Sequence, residues 1–193
     1  MAKVVCATRV GNMKDPNPET RGTVDVLDLP VKELGDDDVL IKVAYCGICG
    51  SDPHVVDGCF NKPEDAPFGI GHEMSGVIER LGKNATAKGL KVGDRVGGNF
   101  LGYCGKCYQC SIGHPEYCTG VSNQPCMAEY VVWNEAQVCK LPDGVSLREG
   151  SLMEPLSIAV RAMDKIGMLV GKRVLVSGGG PIGLLCAQLA AKY

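Results

Sequence analysis

Four cysteines fall within fifteen residues of this chain, at Cys104, Cys107, Cys110 and Cys118, in a loop that also carries Gly102, Gly105 and Gly113. Such a loop has too little apolar content to hold itself in place by packing. Four thiolates around a tetrahedral zinc ion would supply the missing crosslink, and a closed four-cysteine shell marks a structural site. The alternatives are disulfides or unrelated free thiols. The chain has eleven cysteines in 193 residues, yet its start, Met1-Ala2-Lys3-Val4-Val5-Cys6, lacks the apolar core and cleavage site of an export signal. Reduced thiols, a cytoplasmic location and a metal are therefore expected. His114 lies in the same loop and is read as solvent-facing, because four cysteines already fill the shell. Cys6, Cys59, Cys126, Cys139 and Cys186 are scattered and read as ordinary residues.

A second concentration of chemistry lies upstream. Cys46-Gly47-Ile48-Cys49-Gly50-Ser51-Asp52-Pro53-His54 is followed by Gly69-Ile70-Gly71-His72-Glu73. Together they offer a thiolate (Cys49), two imidazoles (His54 and His72), two carboxylates (Asp52 and Glu73) and a hydroxyl (Ser51). The whole chain holds three histidines, and two of them are here. A catalytic zinc takes three ligands of these types and keeps a fourth position open. A buried free thiol and a satisfied core imidazole would also suit Cys49 and His72.

Patterning organises the rest. Val24–Leu29 alternates apolar and polar residues, and Val39–Ala44 is a more continuous apolar run; both read as strands, with a turn over Gly35 to Asp38 between them. Gly76–Leu81, Lys91–Val96, Ala128–Val132 and Gln137–Pro142 add further strands, and Asn61–Phe68 reads as a surface loop. Several short strands with Gly-rich turns predict a small barrel or sandwich. From Ser146 the period becomes helical. Ser146 and Glu149 form a capping-box pattern, Pro155 suits a first turn, and Leu156, Ala159, Met163 and Ile166 recur at helical spacing. Glu154 sits where two helical pieces meet, either turned inward or simply favoured by the helix dipole. After a break over Gly167 to Gly171, Arg173–Ser177 reads as a short buried strand. Gly178-Gly179-Gly180-Pro181-Ile182-Gly183 then contains Gly-x-Gly-x-x-Gly, and an apolar helix follows from Leu184. Strand before and helix after give that glycine pattern its dinucleotide-binding sense; a plain Gly-rich turn is the alternative.

Net charge is −2, so no basic field calls for nucleic acid or anionic lipid, and no apolar run approaches the ~18 residues of a membrane span.

These motifs, taken in order with Glu154-Pro155-Leu156, resemble the N-terminal half of the zinc-dependent medium-chain alcohol and polyol dehydrogenases. The branch is that of sorbitol, butanediol and threonine dehydrogenases, and the resemblance covers essentially all of the chain. It implies a mostly β, GroES-like, barrel-type catalytic domain with some helix over residues 1–167, with a structural zinc lobe at about 100–120. The beginning of an α/β Rossmann domain would follow over 168–193. Two zinc ions per chain are implied: a structural one on Cys104, Cys107, Cys110 and Cys118, and a catalytic one on Cys49 and His72. Glu73 and Glu154 would lie on or near the catalytic ion, Glu154 standing where classical alcohol dehydrogenases place a cysteine. Asp52 would orient His72.

The implied reaction oxidises a secondary alcohol or diol to a ketone, with hydride passing to NAD or NADP. Zinc would act as Lewis acid on the substrate oxygen. Ser51 would accept the hydroxyl proton and relay it through the cofactor ribose to His54. Gly178, Gly180 and Gly183 would bind the cofactor. The partner is a small-molecule alcohol or polyol, with no nucleic acid and no membrane, and the intact protein would be a homo-dimer or homo-tetramer. The sequence stops at Tyr193 inside the last helix, before the acidic residue expected about 20 positions further on. The 193-residue chain alone is thus expected to bind zinc but to be a poor or inactive dehydrogenase. A zinc-stabilised structural or binding module needing no cofactor is the competing class.

Overall fold

The computed structural model describes residues 1–167 and 171–192. The strands are β1 (Ala2–Arg9), β2 (Thr23–Leu29), β3 (Asp38–Gly47), β4 (Phe68–Gly69), β5 (Glu73–Leu81), β6 (Arg95–Gly98), β7 (Leu101–Gly102), β8 (Ser122–Asn123), β9 (Tyr130–Asn134) and β10 (Val138–Lys140). The α-helices are α1 (Ser51–Val56), α2 (Tyr108–Ser111), α3 (Leu147–Gly150), α4 (Met153–Ile166) and α5 (Pro181–Ala190).

A five-stranded antiparallel sheet in the order β10-β6-β5-β3-β9 forms the body of the fold. The Val39–Ala44 run becomes its inner strand β3, paired on one side with β5 and on the other with β9, as its continuous apolar character requires. Val39, Ile41, Met74, Ile78, Val96, Trp133 and Val138 fill the core beneath this sheet. A three-stranded sheet, β2-β1-β4, lies beside it, and β7 and β8 make a small pair of their own. Residues 127–129 stitch the two larger sheets: Val5 N–H donates to Met127 O at 2.8 Å, Glu129 N–H to Lys3 O at 2.9 Å, and Val43 N–H to Glu129 O at 3.0 Å. The result is the expected mostly β architecture with some helix, but the sheets wrap without closing into one hydrogen-bonded barrel among the described residues.

The remaining local expectations hold in part. The capping box opens α3, with Ser146 Oγ accepting from Glu149 N–H at 3.2 Å and Ser146 N–H donating to Glu149 Oε2 at 2.8 Å. Fully buried Ser75 in β5 donates its hydroxyl proton to Leu147 O, which fastens α3 to the sheet. The predicted strand over Lys91–Val96 starts only at Arg95. Asp94 Oδ2 accepts from Lys91 N–H at 2.9 Å and turns the chain first. On α4, Ala159 and Met163 are buried as the spacing suggests, whereas Leu156 and Ile166 are exposed. Ala159 and Met163 pack with Cys186 of α5.

Arg173–Ser177 corrects the sequence reading. The segment forms no strand among the described residues, and Leu175 is 93% exposed. An apolar run becomes a buried strand only when neighbours pair with its edges and cover its faces. The break predicted over Gly167–Gly171 lies partly outside the described residues, as does Tyr193. No helix among the described residues is long and apolar enough to cross a membrane.

Candidate active site and metal centres

The register of β3 on β5 builds the upstream site. Gly47 pairs with Glu73 and Cys46 with Met74, so the chain leaving β3 toward α1 passes directly beside the chain entering β5. Cys49 precedes α1, while His72 immediately precedes β5 and Glu73 opens it. The Cys49 sulfur, a His72 ring nitrogen and a Glu73 carboxylate oxygen lie within 4.8 Å of one another. Among the described residues, Glu154 is not part of that group. It reaches the site from the first turn of α4 and lines the same cavity.

Asp52 organises the cluster from behind. Buried in α1, it accepts the Cys49 N–H at 2.8 Å through Oδ2 and stands 3.5 Å from His72 Nδ1 through Oδ1. That contact occupies Nδ1 and leaves Nε2 as the other donor atom of the ring. The same hydrogen bond lifts the His72 pKa to about 9 against the opposing effect of burial. Burial works to raise Asp52, but the His72 and Cys49 hydrogen bonds hold it below the ordinary carboxylate range. Burial pushes Glu154 up; the His72 charge opposes this and the Glu73 charge adds to it. Phe100 lies against the His72 ring with centroids 4.9 Å apart.

Asp52, His72 and Glu154 line a cavity of about 340 Å³ whose walls also include Ser51, Val55, Phe60, Ile70, Phe100, Leu101, Asn123 and Pro125. Ser51, at the start of α1, lines it together with His72 and Glu154. His54, one helical turn further along α1, is exposed and lies outside the lining. The sequence reading named Ser51, Asp52, His72 and Glu154 among the wall residues but not Asn123. It missed Phe100 and the other apolar walls, for which no local signal exists.

In the downstream loop all four sulfurs, of Cys104, Cys107, Cys110 and Cys118, lie within 4.8 Å of one another. A Zn–S bond of about 2.3 Å implies a tetrahedral S···S edge of about 3.8 Å; Cys107 Sγ and Cys118 Sγ are 4.0 Å apart. Gly105 and Gly113 turn the backbone at φ of 69° and 83°. Amides point at the sulfurs: Cys107 N–H toward Cys104 Sγ, and Cys104 and Gly120 N–H toward Cys118 Sγ, each at 3.3 Å. Backbone N–H groups of Cys110 and Thr119 bring the Cys107 thiol down to about 6. Desolvation and the neighbouring Cys107 push Cys110 up to about 12. Four sulfurs prepared in this way, with charge that cannot accumulate on all of them, suit a divalent cation. The donor sets at both centres fit zinc. His114 is exposed, 3.3 Å from Glu116 and outside the sulfur group.

The glycine loop leads into α5, with Gly180 as N-cap and Pro181 in the first turn. A side chain at position 183 would collide with the carbonyl of Gly178, so the close turn requires glycine there.

Residues 35–143 match the family model for the alcohol dehydrogenase GroES-like domain. The chain belongs to that family. It corresponds to the N-terminal part of the zinc-dependent medium-chain alcohol and polyol dehydrogenases. It is 39% identical over 175 residues to "Probable D-xylulose reductase A" of Aspergillus fumigatus, covering 86% of this chain and 48% of that one. It is 39% identical over 170 residues to the L-threonine 3-dehydrogenase of Escherichia coli, covering 84% and 49%. The chain thus spans about half the length of the curated relatives it matches. Among solved structures it superposes on a protein of Clostridium scindens provisionally described as a zinc-binding dehydrogenase, with a TM-score of 0.84, 33% identity and coverage of 100% and 56%. A protein of Sinorhizobium meliloti described in the same terms, and bound to NADP, matches with a TM-score of 0.76, 30% identity and coverage of 100% and 53%.

Proposed function

We propose that this chain supplies the catalytic part of a zinc-dependent, NAD(P)-dependent alcohol or polyol dehydrogenase that converts a secondary alcohol or diol to a ketone. The observation that carries this reading is the convergence of Cys49, His72 and Glu73 within 4.8 Å beside a partly apolar cavity. Three donors, with His72 among them on the cavity wall, suit a catalytic zinc that keeps a position open, whereas a purely structural module has no use for the cavity. In this reading Cys49, His72 and Glu73 hold the catalytic zinc, Glu154 stands beside it, and the four-cysteine lobe holds a structural zinc.

When bound, zinc would polarise the alcohol oxygen and the nicotinamide would accept the hydride. The chain's own groups do the rest. Asp52 keeps the His72 ring and the Cys49 backbone in place, so the donor set is formed before a ligand arrives. Phe60, Ile70, Phe100 and Leu101 form an apolar wall that limits water. Ser51 Oγ, on the cavity wall, takes the hydroxyl proton, and His54 one turn along α1 hands it to solvent. Burial pushes the Glu154 pKa up, and its carboxyl group, on the cavity wall, could hydrogen-bond a second hydroxyl of the substrate.

Residues 1–167 would form the catalytic domain and residues 168–193 the start of a nucleotide-binding domain. There Gly178, Gly180 and Gly183 let a pyrophosphate approach α5. The whole protein would work in the cytoplasm as a homo-dimer or homo-tetramer. Elemental analysis of chain purified without chelator tests the metal assignment. Two zincs per chain are expected, with one lost in Cys49→Ser and the other in Cys107→Ser. Well-folded protein with reduced thiols and no zinc would overturn it. Cofactor-dependent oxidation of diols by a chain extended past Tyr193, lost in Ser51→Ala, tests the reaction.

A further inference from the structure

Two sulfurs that neither metal centre uses meet beside the active site. Cys46, near the end of β3, and Cys126, in the connection between β8 and β9, hold their Sγ atoms 3.8 Å apart. Among the described residues, neither belongs to the four-cysteine group or to the Cys49–His72–Glu73 group. Their access differs. Cys126 is fully buried in the main core, whereas Cys46 is half-buried and lines an open groove with Val5, Tyr45 and Met127.

The backbone at Cys126 is tied to the residues that precede His72. Cys126 N–H donates to Gly71 O and Met127 N–H to Ile70 O, each at 3.0 Å. Gly71 itself is wedged in: a Cβ there would stand 2.7 Å from Met127 Cβ and 3.1 Å from Cys46 Sγ. No slack separates the thiol pair from the chain that carries His72.

We propose that Cys46 and Cys126 form a peroxide-reactive dithiol that closes to a disulfide and, in closing, displaces Gly71 and His72. Cys46, the half-buried member of the pair and the one that lines the groove, attacks one oxygen of a hydroperoxide. Its S–O bond forms as the O–O bond breaks, and the leaving oxygen departs as water or alcohol with the Cys46 thiol proton. Cys126 then attacks the sulfenic sulfur. The S–S bond forms, the S–O bond breaks, and hydroxide leaves as water with the Cys126 proton. Two sulfurs each lose one electron, and the peroxide gains two. Closing the pair from 3.8 Å to a covalent S–S bond of about 2.05 Å draws the sulfurs together by about 1.7 Å. The hydrogen bonds to Gly71 and Ile70 pass part of that movement to His72.

The test oxidises the zinc-loaded chain with less than one equivalent of hydrogen peroxide, alkylates the remaining thiols and maps the peptides by mass spectrometry. A Cys46–Cys126 link, about 2 Da lighter than the two thiols and reversed by a dithiol reductant, is expected. Cys46→Ser and Cys126→Ala should each abolish it while the four-cysteine lobe keeps its zinc. Cys46 carried to sulfinic acid with Cys126 still a thiol would overturn the dithiol, and so would linkage to any other cysteine in its place. Displacement of His72 rests on the metal reading above, and cobalt substituted at the Cys49 site reports on it. Oxidation should weaken cobalt binding there several-fold in the parent chain and leave Cys46→Ser unchanged. A formed disulfide with an unaltered cobalt spectrum would remove the coupling. Reduced chain that takes no cobalt at Cys49 would refute the proposed function instead, with the dithiol decided by the peptide map alone.

Discussion

The two cysteine-bearing centres solve one problem in opposite ways. In the lobe, all four sulfurs come from residues 104–118, and local turns with backbone amides aimed at sulfur bring them together. At the upstream site, the donors come from chain on either side of a strand pairing. Cys49 reaches His72 and Glu73 because Gly47 stands opposite Glu73 in the β3–β5 ladder. The lobe contributes little apolar core and depends on its crosslink, whereas the upstream site is held by a sheet that has its own core. A crosslinked loop should therefore fail when its ion is removed, and a sheet-held site should lose its ion without losing its shape.

The sharpest way to break that comparison is Cys107→Ser. We expect it to release one of two zinc equivalents and open residues 104–118 to limited proteolysis, while far-UV circular dichroism of the sheet persists. If the lobe still resists protease, the crosslink argument fails. Asp52→Asn should act in the other direction. It leaves the lobe intact and weakens metal binding upstream by 10- to 100-fold, on the order of losses seen when a partner of a ligating histidine is removed.

The same variant carries a pH signature. In metal-free protein His72 titrates near 9, above its ordinary 6.5, because Asp52 favours the charged ring. The stability from this pair is fully present below the ordinary value and is lost as pH rises through about 9. In Asp52→Asn the imidazole resonances should titrate much closer to the ordinary value, and the part of the pH dependence of metal uptake that comes from His72 should move down with it. Unshifted titration would mean that another group holds the proton.

Gly47→Ala should have a smaller, local effect. Its methyl would fall on the Glu73 carboxylate, so cobalt affinity upstream should drop several-fold with the lobe unaffected. Least of all, Ser146→Ala should cost about 1 kcal/mol in denaturant unfolding, the usual loss for an N-cap, and change neither metal count.

How much of this could be read beforehand follows the same division. The spacing of Cys104, Cys107, Cys110 and Cys118 carries the lobe almost by itself, since its geometry is local. Cys49 and His72 could be picked by residue type, but Glu73 and Glu154 could not be ranked. Their difference lies in strand register and in the approach of α4, which no local pattern encodes. The pairing of Cys46 with Cys126 was equally invisible, because β3, β5 and residues 126–127 must first assemble. Sequence also overreached at Arg173–Ser177. It reads the apolar content of that run correctly, but burial belongs to the neighbours, and Leu175 has none over it among the described residues.

That run, packed against α4 and α5 only through Val176 among the described residues, has a consequence for how the chain behaves at the bench. Among the described residues no strand pairs with this run and Leu175 stands exposed, so the run would favour pairing with the same segment of another molecule. Colloidal stability of the 193-residue chain would then be governed at this short stretch. A lysine at position 175 should raise the usable concentration while both metal centres stay as they are.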